Sequence, residues 1–176
     1  MTTTRLLRPV LALATCLLVV TCADPPSGPL DAGRGGPTAG LLGSLAQPTG
    51  LLQCSPLPYD SVTQAIGPEG GVVRVGPHKL SVPPDALVDV VTITAVAPSE
   101  TVNRVLFRPE GLVFERPAHL TMSYANCDLL GVLLPKQIAY VTEGLDILEY
   151  LLSVDHPASR TVTGRLDHFS SYAVAW

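Results

Sequence analysis

The chain has 176 residues and a formal net charge of −4, and its 11 Lys and Arg residues are scattered singly. This length is enough for one domain of ordinary size with tails and short for two hydrophobic cores. Because no basic field would attract a phosphate backbone, the composition argues against nucleic acid as a partner. Aromatic residues make up 5% of the chain, and 17 Pro and 15 Gly interrupt its apolar content, which favours short strands and many turns.

The N-terminus has the layout of an export signal. Arg5 and Arg8 precede an apolar run over residues 10–20 that is too short to span a bilayer. The following Thr21-Cys22-Ala23 resembles the end of a bacterial lipoprotein signal, whose cysteine is acylated and becomes the new N-terminus. We therefore predict a lipoprotein-type signal peptide over residues 1–22, lipidation of Cys22 and a membrane-anchored protein of the cell envelope. The alternative is cleavage after Ala23 and release as a soluble exported protein.

Residues 23–53 predict a spacer. Glycine and proline break any periodic apolar face in this segment, which is typical of a tether rather than of a folded element. Two apolar pairs, Leu41-Leu42 and Leu51-Leu52, interrupt it, and packing on the domain and packing on lipid are both open interpretations. The folded domain is predicted over residues 54–176.

That domain consists of short apolar segments bounded by Gly or Pro and rich in Val, Ile and Thr, which predict strands. The clearest alternation sets Leu120, Met122 and Tyr124 on a core face, with polar side chains between them. The same period predicts further core-facing residues: Val73, Val75, Leu80, Val82, Val91, Ile93, Ala95, Val105 and Phe107. Later, Leu148, Tyr150, Leu152 and Val154 form one face of a strand opposite Glu149 and Ser153. Roughly eight or nine short strands without a long helical stretch predict an all-β fold, an antiparallel sandwich of two sheets.

Two cysteines fall within the predicted domain, Cys54 and Cys127. In an exported protein such a pair favours a disulfide, which would pin the N-terminal edge of the domain to the sandwich. The sequence has no Cys-x-x-Cys or His-x-x-x-His spacing, so we expect neither a metal nor another cofactor.

Three motifs together resemble the ZU5 domain, known from ankyrins, netrin receptors and a tight-junction scaffold, with related domains in exported bacterial proteins. They are Gly70-Gly71 before an apolar strand, Leu80-Ser81-Val82-Pro83-Pro84-Asp85-Ala86-Leu87, and Gly111-x-x-Phe114-x-x-Pro117-x-x-Leu120. The resemblance covers residues 64–176 and implies a β-sandwich that binds other proteins or serves as a spacer, without a general catalytic site. Asp85 stands where the family usually has Gly, a change that is tolerable if the turn does not need positive φ at this position.

Some proteins with a ZU5 domain cut their own backbone at a His-Phe-Ser tripeptide, and this chain has His168-Phe169-Ser170 at the corresponding place. In that chemistry His168 takes the hydroxyl proton of Ser170, whose Oγ attacks the carbonyl of Phe169, and the resulting ester is hydrolysed. The alternative interpretation makes Phe169 a core anchor, Ser170 a strand residue and His168 a polar edge group.

No other catalytic arrangement is present: the sequence has no Gly-x-Ser-x-Gly, phosphate loop or His-Glu-x-x-His. His78, His119 and His156 are isolated, and we expect them to be solvated. We therefore predict a non-enzymatic, lipid-tethered module that contacts another macromolecule, an envelope protein or a surface polymer, through a sheet edge or wet face, with no small-molecule substrate. The alternative is a self-processing domain that cleaves between Phe169 and Ser170. Glycan binding would need a row of exposed aromatics, whereas those of this chain are scattered.

Overall fold

The computed structural model describes residues 50–129 and 133–176. The predicted signal peptide over residues 1–22, the lipidation site Cys22 and most of the spacer lie outside the described residues. No helix in the described ranges is long and apolar enough to cross a membrane. The regular elements of these ranges are strands: β1 (Asp60–Ile66), β2 (Gly71–Val75), β3 (His78–Val82), β4 (Val91–Ala97), β5 (Arg104–Arg108), β6 (Val113–Ser123), β7 (Gln137–Val141), β8 (Ile147–Tyr150), β9 (Ser153–His156), β10 (Thr161–His168) and β11 (Ser171–Ala175).

The strands form two antiparallel sheets packed face to face, which confirms the predicted sandwich. The first sheet has the order β1-β4-β5-β11-β7-β8 and the second has the order β2-β3-β6-β10-β9. The edge strands are therefore β1 and β2 on one side of the sandwich and β8 and β9 on the other. β10 and β11 are consecutive in the chain but belong to different sheets, so the two residues between them, Phe169 and Ser170, carry the chain from one sheet to the other.

Alternation of period two explains the core between the sheets. Leu120 and Met122 of β6 have no exposed surface, and Tyr124 follows them into the interior with 2% exposure. The predicted core residues of β2, β3, β4 and β5 are likewise buried, apart from Val91, which is half-buried at the start of its strand. Inward aliphatic side chains at every second position remove apolar surface from water, the main favourable contribution to folding.

Residues 50–53 belong to the domain, so the predicted boundary at residue 54 is wrong. Leu51 and Leu52 are each 1% exposed. The N–H of Leu52 donates to the carbonyl of Val174 at 3.1 Å, and the N–H of Trp176 donates to the carbonyl of Gly50 at 2.9 Å. Leu52 packs in the core between the sheets, whereas Leu51 packs in a second apolar cluster with Ala173 and neighbouring residues. Of the two interpretations of this leucine pair, packing on the domain is therefore the correct one.

A disulfide joins Cys54 and Cys127, as the sequence predicts. Backbone hydrogen bonds continue the attachment on both sides of the bond: Ser55 donates to Asn126 at 2.9 Å, and Asp128 donates to Gln53 at 2.9 Å. The N-terminal edge of the domain is thus held by a covalent bond and by a short run of paired backbone.

The predicted face of Leu148, Tyr150, Leu152 and Val154 does not belong to one strand. This segment divides into β8 and β9, which lie in different sheets, and the chain passes from one to the other through Leu151 and Leu152. The four side chains are between 44% and 80% exposed. They remain exposed because β8 and β9 are edge strands and no third layer of the described structure covers them.

The expectation that His78 is solvated is wrong, and the condition stated for the turn at Asp85 is not met. His78 is buried with 2% exposure, because it shares the inward parity of Leu80 and Val82 on β3. Its Nδ1 atom accepts the backbone N–H of Ser123 at 3.2 Å, and burial lowers its pKa to about 4. Asp85 has a φ of 62°, so the turn after Pro84 does require positive φ. Aspartate is one of the few residue types other than glycine that tolerate this region.

Candidate functional site: an apolar sheet edge and the crossing between sheets

Exposed apolar side chains concentrate on the side of the sandwich formed by β8 and β9. We use the name apolar edge for Leu134, Leu148, Tyr150, Leu152 and Val154, which are 59%, 55%, 44%, 80% and 60% exposed. Leu134 belongs to this surface because it lines a groove together with Tyr150 and Leu152. Leu148 and Val154 line separate cavities on the same side of the sandwich. A concentration of exposed apolar side chains on one side of a domain is typical of an interaction site.

Both strands of this edge also expose backbone hydrogen-bonding groups. Among the described residues β8 pairs only with β7, and β9 pairs only with β10, so one side of each strand has no strand neighbour. Residues 147–156 contain neither the lysine nor the proline that commonly protects a sheet edge. The opposite edge differs, because β1 exposes Ser61, Thr63, Gln64 and Ala65. Among the described residues the opposite edge strands expose one large apolar side chain, Val72 of β2, whereas β8 and β9 together expose Leu148, Tyr150 and Val154.

The groove beside this edge has a volume of about 540 Å³. Leu134, Pro135, Tyr150, Leu152 and Trp176 supply much of its lining. A groove of this volume can accept the bulky apolar side chains of an extended segment lying along β8 or β9.

The motif His168-Phe169-Ser170 lies at the crossing from β10 to β11, just after a register shift between Leu166 and His168. The side chain of Phe169 is fully buried, with its ring stacked on Phe107 at 5.0 Å and edge-on to Phe114 at 5.0 Å. Its N–H donates to the carbonyl of Leu112 at 2.8 Å, and its carbonyl accepts the N–H of Gly111 at 2.9 Å. Phe169 is therefore an anchor of the core, and hydrogen bonds fix both its backbone N–H and its backbone carbonyl.

His168 and Ser170 face different surroundings. The His168 ring lies edge-on to Tyr140 at 5.3 Å, and both rings line a cavity from which Ser170 is absent. Ser170 is 6% exposed and lines a separate cavity on the side of Leu106 and Glu143. No hydrogen bond joins the His168 imidazole to the Ser170 hydroxyl in the described structure. Self-cleavage would have one element in place, the Gly111 N–H on the Phe169 carbonyl, while the contact between base and nucleophile is not made.

The remaining candidate residues do not converge. Asp167, next to His168, is exposed and accepts hydrogen bonds from the Arg165 guanidinium at 3.2 and 3.3 Å, so it does not orient the imidazole. His119 and His156 are exposed, as expected for solvated histidines. Within residues 50–129 and 133–176 no group of three or more His, Cys, Asp or Glu side chains is arranged to hold a metal ion.

Sequence reasoning found the tripeptide motif and missed the apolar edge. The alternation of Leu148, Tyr150, Leu152 and Val154 is visible in the sequence, but an alternating pattern does not tell which face is covered. Gly111 was part of a recognised motif, yet its contact with the Phe169 carbonyl depends on how distant segments pack. Neither a scan against models of known protein families nor a search of curated proteins finds a match for this chain.

Proposed function

We propose that this protein is a non-enzymatic module of the cell envelope, tethered by lipid on Cys22, that binds an extended segment of another envelope protein along its apolar edge. The observation that carries the proposal is the coincidence of two unpaired edge strands with five exposed apolar side chains on one side of the sandwich. The resemblance of residues 64–176 to the ZU5 domain, whose members bind other proteins, supports the same function.

The mode of binding follows from the chemistry of an open edge. A partner segment that adds to β8 or β9 would form main-chain hydrogen bonds with the groups that have no strand neighbour, which contributes affinity. Alternate side chains of that segment would enter the groove between Leu134 and Leu152 and contribute specificity. The partner is therefore expected to present a stretch of alternating apolar residues in extended conformation.

An exported location is supported by two features. The disulfide between Cys54 and Cys127 is compatible with an oxidising compartment outside the cytosol. Residues 1–22 supply the charged and apolar parts of an export signal, and Cys22 ends that signal. Metabolic labelling with an alkyne fatty acid tests the anchor: we expect label in the wild-type protein and in Cys16→Ser, and none in Cys22→Ser. Equal labelling of Cys22→Ser would refute the tether.

Site-specific photo-crosslinking in cells tests the binding surface. A photoreactive residue placed at position 148, 152 or 154 should give one defined heterologous crosslink, and Leu152→Lys should abolish the crosslink from position 154. Val72, on the opposite edge strand β2, and Val90 are exposed apolar positions that serve as matched controls. Equal crosslinking from the control positions would contradict the proposal, and a crosslink whose mass is twice that of the chain would replace it with self-association.

A second candidate function is self-cleavage between Phe169 and Ser170. The specific observation in its favour is the Gly111 N–H, which would polarise the Phe169 carbonyl for attack. Because β11 pairs with both β5 and β7, the fragment 170–176 would stay bound after cleavage, so the mass must be measured under denaturing conditions. Cleavage predicts a fragment that disappears in Ser170→Ala and persists in Ser171→Ala. Recovery of only the intact chain after long incubation would exclude it.

A further inference from the structure

A second concave site lies beside the apolar edge, where the two sheets separate. β9 pairs with β10 only as far as Gly164, and the N–H of Arg165 then donates to the carbonyl of Leu152 at 3.1 Å. Past this point β10 has a strand neighbour only on its β6 side among the described residues. The gap is a cavity of about 290 Å³, lined by Tyr140, Glu149, Leu151, Leu152, Arg165, Asp167, His168 and Tyr172.

Three aromatic rings form one part of the cavity wall. Tyr140 and His168 lie 5.3 Å apart at an interplanar angle of 82°, and Tyr172 lies 6.0 Å from Tyr140 and 6.3 Å from His168. The rings are inclined to one another instead of stacked, so they bound the cavity from different directions. Tyrosine ring faces carry negative electrostatic potential and attract cations.

The charges of the cavity are unbalanced. Two carboxylates, Glu149 and Asp167, and one guanidinium, Arg165, line it. Arg165 already pairs with Asp167 at 3.2 Å, whereas Glu149 has no ion pair in the described parts of the chain. The pKa of the Tyr172 hydroxyl is raised above its usual value, first by burial and then by the nearby Tyr140, Glu149 and Asp167. The uncompensated negative charge is therefore close to the aromatic rings.

We propose that this cavity binds a primary alkylammonium group. The cation would lie against the ring of Tyr140, which is partly exposed, with its charge paired to Glu149, and its aliphatic chain would contact Leu151 and Leu152. An anionic ligand would lie beside the Glu149 carboxylate, and a neutral ligand would offer no charge to pair with it.

The ammonium group has two sources with the same chemistry, a free alkylamine and a lysine side chain of a bound protein. Leu152 lines both this cavity and the groove of the apolar edge, so a lysine of the docked segment could reach Glu149. The assignment to a partner lysine rests on the proposed function. The cavity itself does not, because a free amine can enter it whether or not a segment binds at the edge.

Titration of the full chain with n-butylammonium chloride, followed by NMR, tests the site. We expect saturable shifts of the Tyr140, His168 and Tyr172 ring signals, and no such shifts with n-butanol or with sodium chloride at equal ionic strength. Glu149→Gln and Tyr140→Leu should each weaken binding about threefold, as the loss of an exposed ion pair or cation–π contact predicts. Glu115→Gln, which removes an exposed carboxylate on β6 outside the cavity, should bind like the wild type.

Equal shifts with butanol, or unchanged affinity in Glu149→Gln and Tyr140→Leu, would overturn the proposal. The source is resolved by introducing Glu149→Gln into the crosslinking variant with the photoreactive residue at position 154. A weaker crosslink assigns the ammonium to a partner lysine, and an unchanged crosslink together with butylammonium binding assigns it to a free amine. Loss of all crosslinking with intact butylammonium binding would reject the proposed function and leave the ammonium site standing.

Discussion

The hydroxyl of Tyr172 donates a hydrogen bond of 2.6 Å to the backbone carbonyl of His168, across the bend that carries the chain from one sheet to the other. The Tyr172 ring is 1% exposed, so Tyr172→Phe keeps the packing and removes only this bond. We expect the free energy of unfolding to fall by about 1 kcal/mol, measured by urea denaturation. Tyr140→Phe is the control, since no hydrogen bond of the Tyr140 hydroxyl is found in the described structure. Equal losses in both variants would contradict this role of the bond.

The buried His78 predicts a stability that depends on pH. Its pKa is about 4 in the folded protein, whereas 6.5 is the ordinary value, so as the pH falls below 6.5 the unfolded chain binds the proton first. The free energy of unfolding should therefore drop by about 2 to 3 kcal/mol between pH 7 and pH 4.5 through this group alone. His78→Asn keeps an acceptor for the Ser123 N–H and does not titrate.

The measurement compares urea denaturation of the two proteins at both pH values. We expect His78→Asn to lose less stability on acidification than the wild type, by the amount given above. His119→Asn, which removes an exposed histidine, should follow the wild type. Identical pH dependence in the wild type and His78→Asn would show that His78 is not held neutral by burial.

The disulfide should contribute strongly to stability because it closes a loop of 73 residues. The chain-entropy relation gives about 4 kcal/mol for a loop of this length. The double variant Cys54→Ala with Cys127→Ala should therefore unfold at markedly lower urea concentration than the oxidised protein, and reduction of the wild type should produce a similar shift. A double variant as stable as the oxidised protein would mean that the paired backbone around the bond suffices.

Two glycines with positive φ differ in what surrounds them. At Gly70, with a φ of +75°, a Cβ atom would lie 2.5 Å from the carbonyl oxygen of Val82, whereas at Gly76, with a φ of +51°, nothing lies within 4 Å. Backbone of a neighbouring strand cannot move aside as a side chain can. Gly70→Ala should therefore lower the free energy of unfolding by about 3 kcal/mol or more, and Gly76→Ala by about 1 kcal/mol. Similar thermal denaturation midpoints for the two variants would refute this distinction.

Much of the fold could be predicted because the interior strands bury one face against the opposite sheet. Leu120 and Met122 alternate with the more exposed His119 and Thr121, so the apolar and polar residue types themselves indicate which face is buried. The turn before β2 could also be placed from Gly70-Gly71, because glycine is the residue type that adopts positive φ most readily, as Gly70 does at +75°. Strand alternation and a turn glycine are local signals, because each can be read from residue types a few positions apart in the sequence.

The rest depends on contacts between distant segments. Leu152 is exposed because no layer of the described structure covers it. The residue type leucine does not indicate whether such a layer is present. β3 lies between β2 and β6, and its alternate side chains point into the core. His78 is therefore buried together with Leu80 and Val82, although it is polar. Leu51 resembles a spacer residue in sequence and becomes part of the domain only through its packing against Ala173.

The strand order places β11 between β5 and β7, although it is the last strand along the chain. Without residues 171–175 the six-stranded sheet would consist of two parts, β1-β4-β5 and β7-β8, with no backbone hydrogen bonds between them. A variant without residues 171–175 would therefore lose the strand that joins β5 to β7, although the residues of β1 to β10 would all be present.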